Sequence, residues 1–238
     1  MAETFAVRHY DSIGSTNDEA RRLAREGAPH GTVIHADEQR SGRGRLTRTW
    51  FSPPGNLYMS ILLRIDTPPQ RTAELGFVAA LAVAETVETL LPKDRRALLK
   101  WPNDVLVENA KISGILLEME DDAVILGIGL NVLEAPSGGK YKTTTLVANG
   151  GIASVDSARD ILLDRLARFL SQWRTEGFAA IKAAWLERSY PIGEMIRINA
   201  SGTPLEGRFS GLDDAGALLL ETPEGIQKIL AGDVVIAG

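Results

Sequence analysis

Cysteine is absent from this chain of 238 residues, and its absence excludes several kinds of chemistry. A disulfide framework, a cysteine-ligated zinc ion and a thiol nucleophile are all impossible. The chain also lacks a run of about 20 apolar residues, the length that a membrane span requires. Its first residues do not show the charged-then-apolar pattern of a signal peptide. We therefore expect a protein of the reducing cytoplasm that has no membrane partner.

Basic residues are also fewer than acidic ones. The chain has 26 basic and 31 acidic residues, a net charge of -5, whereas general nucleic-acid binders usually carry a positive excess. Three common motifs are missing too: the GxGxxG dinucleotide fingerprint, the GxxxxGK[ST] phosphate loop and the GxSxG serine elbow. We therefore expect no nucleic-acid partner, and any basic cluster should be local and serve one particular site.

The apolar pattern predicts an α+β protein with two domains. Within residues 1–189, strand-like runs alternate with helical patterns, so we expect a mixed β-sheet with flanking helices, among them an alanine-rich helix over 71–91. The segment from 190 to 238 holds only short strands and turns, which predict a small all-β barrel domain. The strand predicted over 57–64 lies either inside the sheet or at an edge that pairs with a second subunit. The second alternative would give a homodimer.

The most unusual segment is an arginine- and glycine-rich stretch at 40–50. Its arginines are Arg40, Arg43, Arg45 and Arg48, and two glycines stand between them. Glycines let the backbone fold closely around an anion, and guanidinium groups donate paired hydrogen bonds to phosphate or carboxylate. The alternative is a solvated basic loop or a contact for RNA. The acidic remainder of the chain favours the anion site.

A second polar segment lies at 100–114. It carries Lys100, Asn103, Asp104 and Lys111. A lysine near a phosphate stabilises negative charge that develops in the transition state, and an aspartate can hold magnesium or act as a base towards an amine. The alternative is a polar turn with surface ion pairs. The apolar run at 115–117 directs the segment towards the core, which favours the wall of a pocket.

Together with two further segments, these stretches resemble the biotin–protein ligases. The matches, in the family's order, are Ser15-Thr16-Asn17, the stretch Gly42 to Trp50, KWPND at 100–104 with Lys111 and GIL at 114–116, and GIGLN at 127–131. A lone GxG is a weak motif that often marks only tight packing, but four ordered motifs are far more specific. The match departs at Thr47, where the family has glycine. A positive φ there would strain a β-branched residue and alter the closed conformation of the loop.

The resemblance implies an ATP-dependent ligase. Such an enzyme activates biotin as biotinyl-5′-AMP, releases pyrophosphate and transfers biotin to a lysine of a biotin carboxyl carrier protein domain, with ATP and Mg²⁺ as the required partners of the reaction. The first strand starts within a few residues of Met1, so we expect the monofunctional type without an N-terminal helix-turn-helix. A lipoate– or octanoate–protein ligase of the same fold is the alternative, and its pocket should be a mostly apolar slot.

The resemblance also implies roles for individual residues. Lys111, Arg45, Asp104 and Lys100 are the predicted catalytic residues. The predicted biotin-binding residues are Ser15, Thr16, Asn17, Gln39, Gly42, Arg43, Gly44, Arg45, Lys111 and Gly114. The predicted nucleotide-binding residues are Arg43, Arg45, Arg48, Lys111 and Asn131. No metal ligands are predicted, and Trp50 is expected to pack under the loop rather than to stack on adenine.

Overall fold

The computed structural model of the chain describes residues 3–65, 68, 71–138, 141–152, 154–199 and 204–236. The described strands of the first part are β1 (Ala6–Ile13), β2 (Thr32–Gln39), β3 (Leu57–Arg64), β4 (Leu98–Lys100), β5 (Asp104–Val107), β6 (Ala110–Glu120) and β7 (Ala123–Leu130). The described helices are α1 (Thr16–Arg25), α2 (Glu74–Leu90), α3 (Val155–Glu176) and α4 (Phe178–Glu187), with a 3₁₀ turn at Val147–Asn149. The later strands are β8 (Met195–Asn199), β9 (Leu205–Leu212), β10 (Leu218–Thr222), β11 (Gly225–Ile229) and β12 (Asp233–Ile236).

The first seven strands form one mixed sheet in the order β1-β2-β3-β7-β6-β5-β4. Only β1 and β2 pair in parallel, and the other neighbours pair antiparallel. The predicted strand at 57–64 has the same bounds as β3, which lies between β2 and β7. Of the two alternatives for this strand, the interior one is therefore correct, and pairing between subunits through it is wrong.

The alanine-rich helix lies in the core, as its composition predicts. The structure places α2 at Glu74–Leu90, slightly shorter than the predicted 71–91. It packs against the sheet on one side and against α3 and α4 on the other, so Val78, Leu81 and Ala82 are fully buried. A helix covered on several sides needs no polar stripe. Within the described part of the chain, no helix is long and apolar enough to cross a membrane.

The last five strands form a separate antiparallel sheet in the order β11-β10-β9-β8-β12, here called the C-terminal sheet. The predicted α+β class with a C-terminal all-β unit is therefore confirmed. This sheet packs directly on the rest of the chain: the indole Nε1 of Trp101 donates to the carbonyl of Gly216 at 3.1 Å. Gly216 has φ +81°, and a Cβ on it would lie 2.6 Å from the ring of Phe77. The C-terminal sheet thus lies beside the turn between β4 and β5. The boundary between residues 189 and 190 stays a prediction.

Candidate active site

A cavity of about 350 Å³ lies where the predicted motifs meet. Of the residues predicted to act in binding or catalysis, all but Gly42 line it. Gly42 instead lies at a crossing of the chain, where a Cβ would come within 2.4 Å of the Ser52 hydroxyl and 2.6 Å of the Trp50 carbonyl. The motifs, which are far apart in the chain, therefore converge on one site.

The arginine-rich stretch is a short hairpin, here called the arginine hairpin (residues 42–50). Arg43 and Thr49 form an antiparallel bridge, and the amide of Gly44 donates to the carbonyl of Arg48 at 2.7 Å. At the tip, Leu46 and Thr47 both have positive φ, 53° and 59°. These two residues form the centre of a turn that is closed by a hydrogen bond from the amide of Arg48 to the carbonyl of Arg45. This is the geometry of a type I′ turn, which favours Asn-Gly. The departure at Thr47 is thus at a position that needs positive φ.

The inner end of the cavity is a network of neutral polar groups. Thr16 donates from its amide and from its hydroxyl to Oε1 of Gln39, at 2.8 and 3.0 Å. The Nε2 of Gln39 donates to the hydroxyl of Ser52 at 3.0 Å, which fixes the orientation of the Gln39 amide. Ser60, fully buried on β3, lies 2.8 Å from the Thr16 hydroxyl and 2.5 Å from Oδ1 of Asn17. The elements β2, β3 and α1 therefore hold these side chains in a fixed arrangement.

Ser15 differs from its neighbours in this network. It is the N-cap residue of α1, a position where serine usually accepts a hydrogen bond from a helix amide. Here its side chain makes no capping hydrogen bond, although the residue is 3% exposed. It lines the cavity. Its hydroxyl is therefore available to a ligand.

Arg43 points to one rim of the cavity. Its Nη2 lies 2.7 Å from the carboxylate of Asp18 and 2.8 Å from that of Glu118. The same Glu118 oxygen accepts from Nδ2 of Asn17 at 2.7 Å. Glu118 thus connects the arginine hairpin to the polar network, and Arg43 is paired with two carboxylates in this conformation.

Arg45 is the arginine that faces the cavity without a close counter-ion. Its guanidinium donates to Oδ1 of Asn103 at 3.1 Å, and within the described chain no carboxylate lies within ion-pair distance of it. Burial lowers the pKa of Arg45, which the more distant charges of Asp233 and Asp104 partly oppose. Arginine stays protonated in proteins regardless. A half-buried cation of this kind attracts an anionic ligand.

Two lysines share one carboxylate on the neighbouring strands. Lys100 ends β4 and pairs in register with Asp104, the first residue of β5. The carboxylate of Asp104 lies 3.3 Å from Nζ of Lys100 and 2.5 Å from Nζ of Lys111 on β6. These three side chains are largely buried, so solvent screens them poorly. The cluster keeps one excess positive charge at the cavity wall, to which Arg45 adds another.

The glycines of the GIGLN motif make room for side chains. A Cβ on Gly129 would lie 2.4 Å from Nε1 of Trp50, and one on Gly127 would lie 2.2 Å from Oδ1 of Asn17. The ring of Trp50 therefore packs against the backbone at Gly129 of β7 and at Gly114 of β6. Asn131, at the end of the same motif, is 2% exposed and donates from Nδ2 to the carbonyl of Thr144 at 3.1 Å.

Comparison with known proteins agrees with this arrangement. Residues 10–133 match the model of the Biotin/lipoate A/B protein ligase family, and residues 192–236 match that of the Biotin protein ligase C terminal domain. The chain belongs to the biotin/lipoate A/B protein ligase family. It is 39% identical to the bifunctional ligase/repressor BirA of Bacillus subtilis, over 95% of this chain and 72% of that protein.

Two further relatives of this ligase chain match nearly end to end. The biotin–[acetyl-CoA-carboxylase] ligase of Paracoccus denitrificans is 38% identical, over 94% of this chain and 98% of that protein. The structure of the biotin protein ligase from Aquifex aeolicus in complex with biotin and ATP superposes with a TM-score of 0.84 at 32% identity, over 96% of this chain and 97% of that one. The C-terminal match is to a domain described for biotin protein ligases, which does not favour the lipoate or octanoate alternative.

The structure also brings residues to the site that no motif indicates. They are Ser52, Ser60, Glu118, Tyr141, Thr143 and Asp233. Glu118 lies on β6 beyond the KISGIL stretch, and Asp233 lies on the C-terminal sheet. The carboxylate of Asp233 pairs with Arg48, one of the residues predicted to bind the nucleotide. Their positions depend on contacts between distant segments, which local patterns do not reveal.

Proposed function

We propose that this chain activates biotin with ATP to give biotinyl-5′-AMP and transfers the biotinyl group to a lysine of a biotin carboxyl carrier protein domain. The observation that carries the proposal is that one cavity joins two unlike ends. Neutral donors and acceptors around Thr16 form one end, and the cations of Arg45 and Lys111 form the other. Biotin has a polar ureido ring at one end and a carboxylate at the other, and the nucleotide brings further negative charge.

The polar end suits a ureido ring better than an alkyl chain. Ser15 offers a hydroxyl that makes no capping hydrogen bond, and Gln39 is oriented by its bonds to Thr16 and Ser52. A site built from such groups rejects an acid that leaves them unpaired, because each buried unpaired group costs about 1–3 kcal/mol. The lipoyl or octanoyl chain offers no hydrogen bonds there, so we infer selectivity for biotin.

The first chemical step needs cations close to the oxygens of the reacting phosphate. A biotin carboxylate oxygen attacks the α-phosphorus of ATP, and the bond from that phosphorus to the pyrophosphate oxygen breaks with its electron pair. Negative charge accumulates on the oxygens at phosphorus, and preorganised cations stabilise it. We assign Lys111 to the α-phosphate and Arg45 to the biotin carboxylate and phosphate. Asp104 holds Lys111 in place through their 2.5 Å ion pair.

The second step transfers the acyl group. The neutral amine of the acceptor lysine attacks the acyl carbon, AMP leaves with the electron pair of the acyl–oxygen bond, and the new amide nitrogen loses one proton. AMP is a far better leaving group than the oxide of a free carboxylate, which is why the first step is needed. We propose that Asp104, already contacted by two lysines, also orients the incoming acceptor amine and accepts its proton.

Magnesium fits the site only with the help of the nucleotide. The cavity-lining carboxylates Asp104 and Asp233 are each paired with lysine or arginine, so the described residues do not form an all-protein cage. Mg²⁺ commonly takes one or two carboxylates and completes its shell with phosphates and water. We propose that Asp104 contributes such a contact. When bound, the ion would neutralise part of the phosphate charge.

The test is a pair of assays on the full chain. We expect exchange of labelled pyrophosphate into ATP that depends on biotin, and transfer of biotin to a carrier domain. Lipoate and octanoate, supplied in place of biotin, should support little exchange. Exchange that is faster with lipoate or octanoate would overturn the biotin assignment, and the absence of exchange with all three acids would overturn the ligase function. RNA affinity that falls steeply with salt would contradict the expected lack of a nucleic-acid partner.

A further inference from the structure

The C-terminal sheet contributes one side chain to the cavity. Asp233 is the first residue of β12, where it pairs with Asn199 of β8. Its carboxylate forms an ion pair with Nη2 of Arg48 in the arginine hairpin, and its side chain is only 15% exposed. On the same strand, the carbonyl of Val234 accepts from Nζ of Lys100 at 3.3 Å. The C-terminal sheet therefore contacts both the hairpin and the lysine cluster.

The charge state of Asp233 follows from these neighbours. Burial alone would raise the pKa of its carboxyl, but the hydrogen bond from Arg48 and the positive charges of Arg48, Arg45 and Lys100 outweigh it and lower the pKa. The same hydrogen bond raises the pKa of Arg48. Both partners are therefore ionised at neutral pH.

The arginine hairpin needs such anchors because its own turn is unfavourable. Leu46 and Thr47 occupy the left-handed region that non-glycine residues rarely adopt. Leu46 is 67% exposed and Phe51, just after the hairpin, is 46% exposed, so burial of apolar surface at the tip gives little support. The side-chain anchors are on opposite sides: Arg43 pairs with Asp18 and Glu118, and Arg48 pairs with Asp233.

We propose that Asp233 is a positioning residue that holds the arginine hairpin over the cavity through Arg48. On this view Arg48 anchors the hairpin in the ligand-free chain. Its consequence for catalysis, which depends on the proposed function, is retention of the acyl adenylate: a hairpin that stays closed keeps the reactive anhydride from water and from escape until the acceptor lysine arrives.

Limited proteolysis tests the closure itself on the ligand-free full chain. Chymotrypsin can cut at Leu46, Trp50 and Phe51, and mass spectrometry identifies those cuts. Asp233→Asn removes the charge with little change in shape, and loss of a single ion pair should speed cleavage at 46–51 about fivefold. The matched control is Asp214→Asn. It removes an exposed ion pair with Lys182 that also joins the C-terminal sheet to a helix, and cleavage should stay at the wild-type rate.

A charge swap separates positioning from a general structural defect. Asp233→Arg combined with Arg48→Asp should restore slow cleavage, whereas either single reversal should not. Equal cleavage rates for Asp233→Asn, Asp214→Asn and the wild type would overturn the proposal. So would failure of the swap to slow cleavage relative to the single reversals, because the effect of Asp233 would then not run through Arg48.

The catalytic consequence has its own readout. Without acceptor protein, Asp233→Asn should release more free biotinyl-5′-AMP per active site than the wild type, again about fivefold, while Asp214→Asn should not. Unchanged release would overturn the retention role. Proteolysis of the ligand-free chain does not depend on biotin chemistry. A wild type that lacks biotin-dependent exchange would therefore contradict the proposed function, but the proteolysis experiment would still test the anchoring of the hairpin by Asp233.

Discussion

The two sides of the cavity are built by different forces. The floor lies on β4 to β7, where backbone ladders fix Lys100, Asp104 and Lys111 relative to one another. The arginine hairpin has one short bridge of its own, and it contacts the rest of the chain through the ion pairs of Arg43 and Arg48 and the packing of Trp50. The floor can therefore aim charge accurately, and the hairpin can open to admit ligands. Substitutions on the floor should affect chemistry, whereas those on the hairpin should affect binding and retention.

Loss of Lys111 should give the largest effect. Lys111→Ala removes the cation that we assign to the α-phosphate, and losing one such group typically costs about 10²- to 10³-fold in rate. Biotin-dependent pyrophosphate exchange should fall by that amount. The melting temperature should change little, because β6 keeps its backbone ladder. The control is Lys93→Ala, an exposed lysine outside the cavity. Near-normal exchange in Lys111→Ala would remove the residue from the mechanism.

Glu118 tests the connection between hairpin and floor. Glu118→Gln weakens the charge-assisted bonds to Asn17 and Arg43, each of a kind worth about 1.5–3 kcal/mol. We expect the KM for biotin to rise about tenfold, with kcat changed less. The matched control is Glu120→Gln on the same strand, which loses only bonds to Arg21 and Arg25 on α1. If both variants raise KM equally, Glu118 has no special role at the biotin end.

Acidification should lower the overall stability of the fold without opening the hairpin. His35 is 1% exposed on β2, and burial together with the charge of Arg159 lowers its pKa below the usual 6.5. A lowered histidine pKa means that the unfolded chain binds more protons, so stability is lost as the pH falls below about 6.5. The Arg48–Asp233 pair loses its charge only below pH 3.8, because the pKa of Asp233 is lowered from that value.

The measurement is the free energy of unfolding between pH 7 and pH 5. It should decrease in the wild type and decrease less in His35→Gln, while the rate of cleavage at residues 46–51 in the native state stays constant over the same range. A cleavage rate that rises in parallel with the loss of stability would show that opening of the hairpin follows the overall stability of the fold and not the Arg48–Asp233 pair.

The two sides also differ in how well they could be predicted. The ordered motifs indicated most of the cavity residues, because the segments at 100–104, 111–116 and 127–131 lie along β4 to β7, which pair with one another in the order β4-β5-β6-β7. The C-terminal all-β unit was predicted from its short strands and turns. Glu118 and Asp233 were not foreseen, since each acts on a segment about 75 or 185 residues away in the chain. For the hairpin, the sequence indicated only that a positive φ at Thr47 would be strained, and it did not predict the type of turn.

Substitution of Thr47 should have the smallest effect on the hairpin. In Thr47→Gly the turn loses the penalty of a β-branched residue at φ 59°, about 1–2 kcal/mol, but the unfolded chain gains entropy worth about 0.5–1 kcal/mol. The net gain should be about 0–1.5 kcal/mol, and cleavage at residues 46–51 should slow about threefold. Thr49→Gly is the control in the same hairpin, because Thr49 is not among the residues with positive φ.

Thr49→Gly should therefore speed cleavage. If both glycine variants speed it, the turn is not strained, and the hairpin depends less on Asp233 than its anchors suggest. If Thr47→Gly slows cleavage in the Asp233→Asn background as much as in the wild type, the turn and the ion pair act independently. The hairpin then has two additive sources of closure, a local turn and a distant carboxylate, whereas the floor needs neither because its strands are already paired.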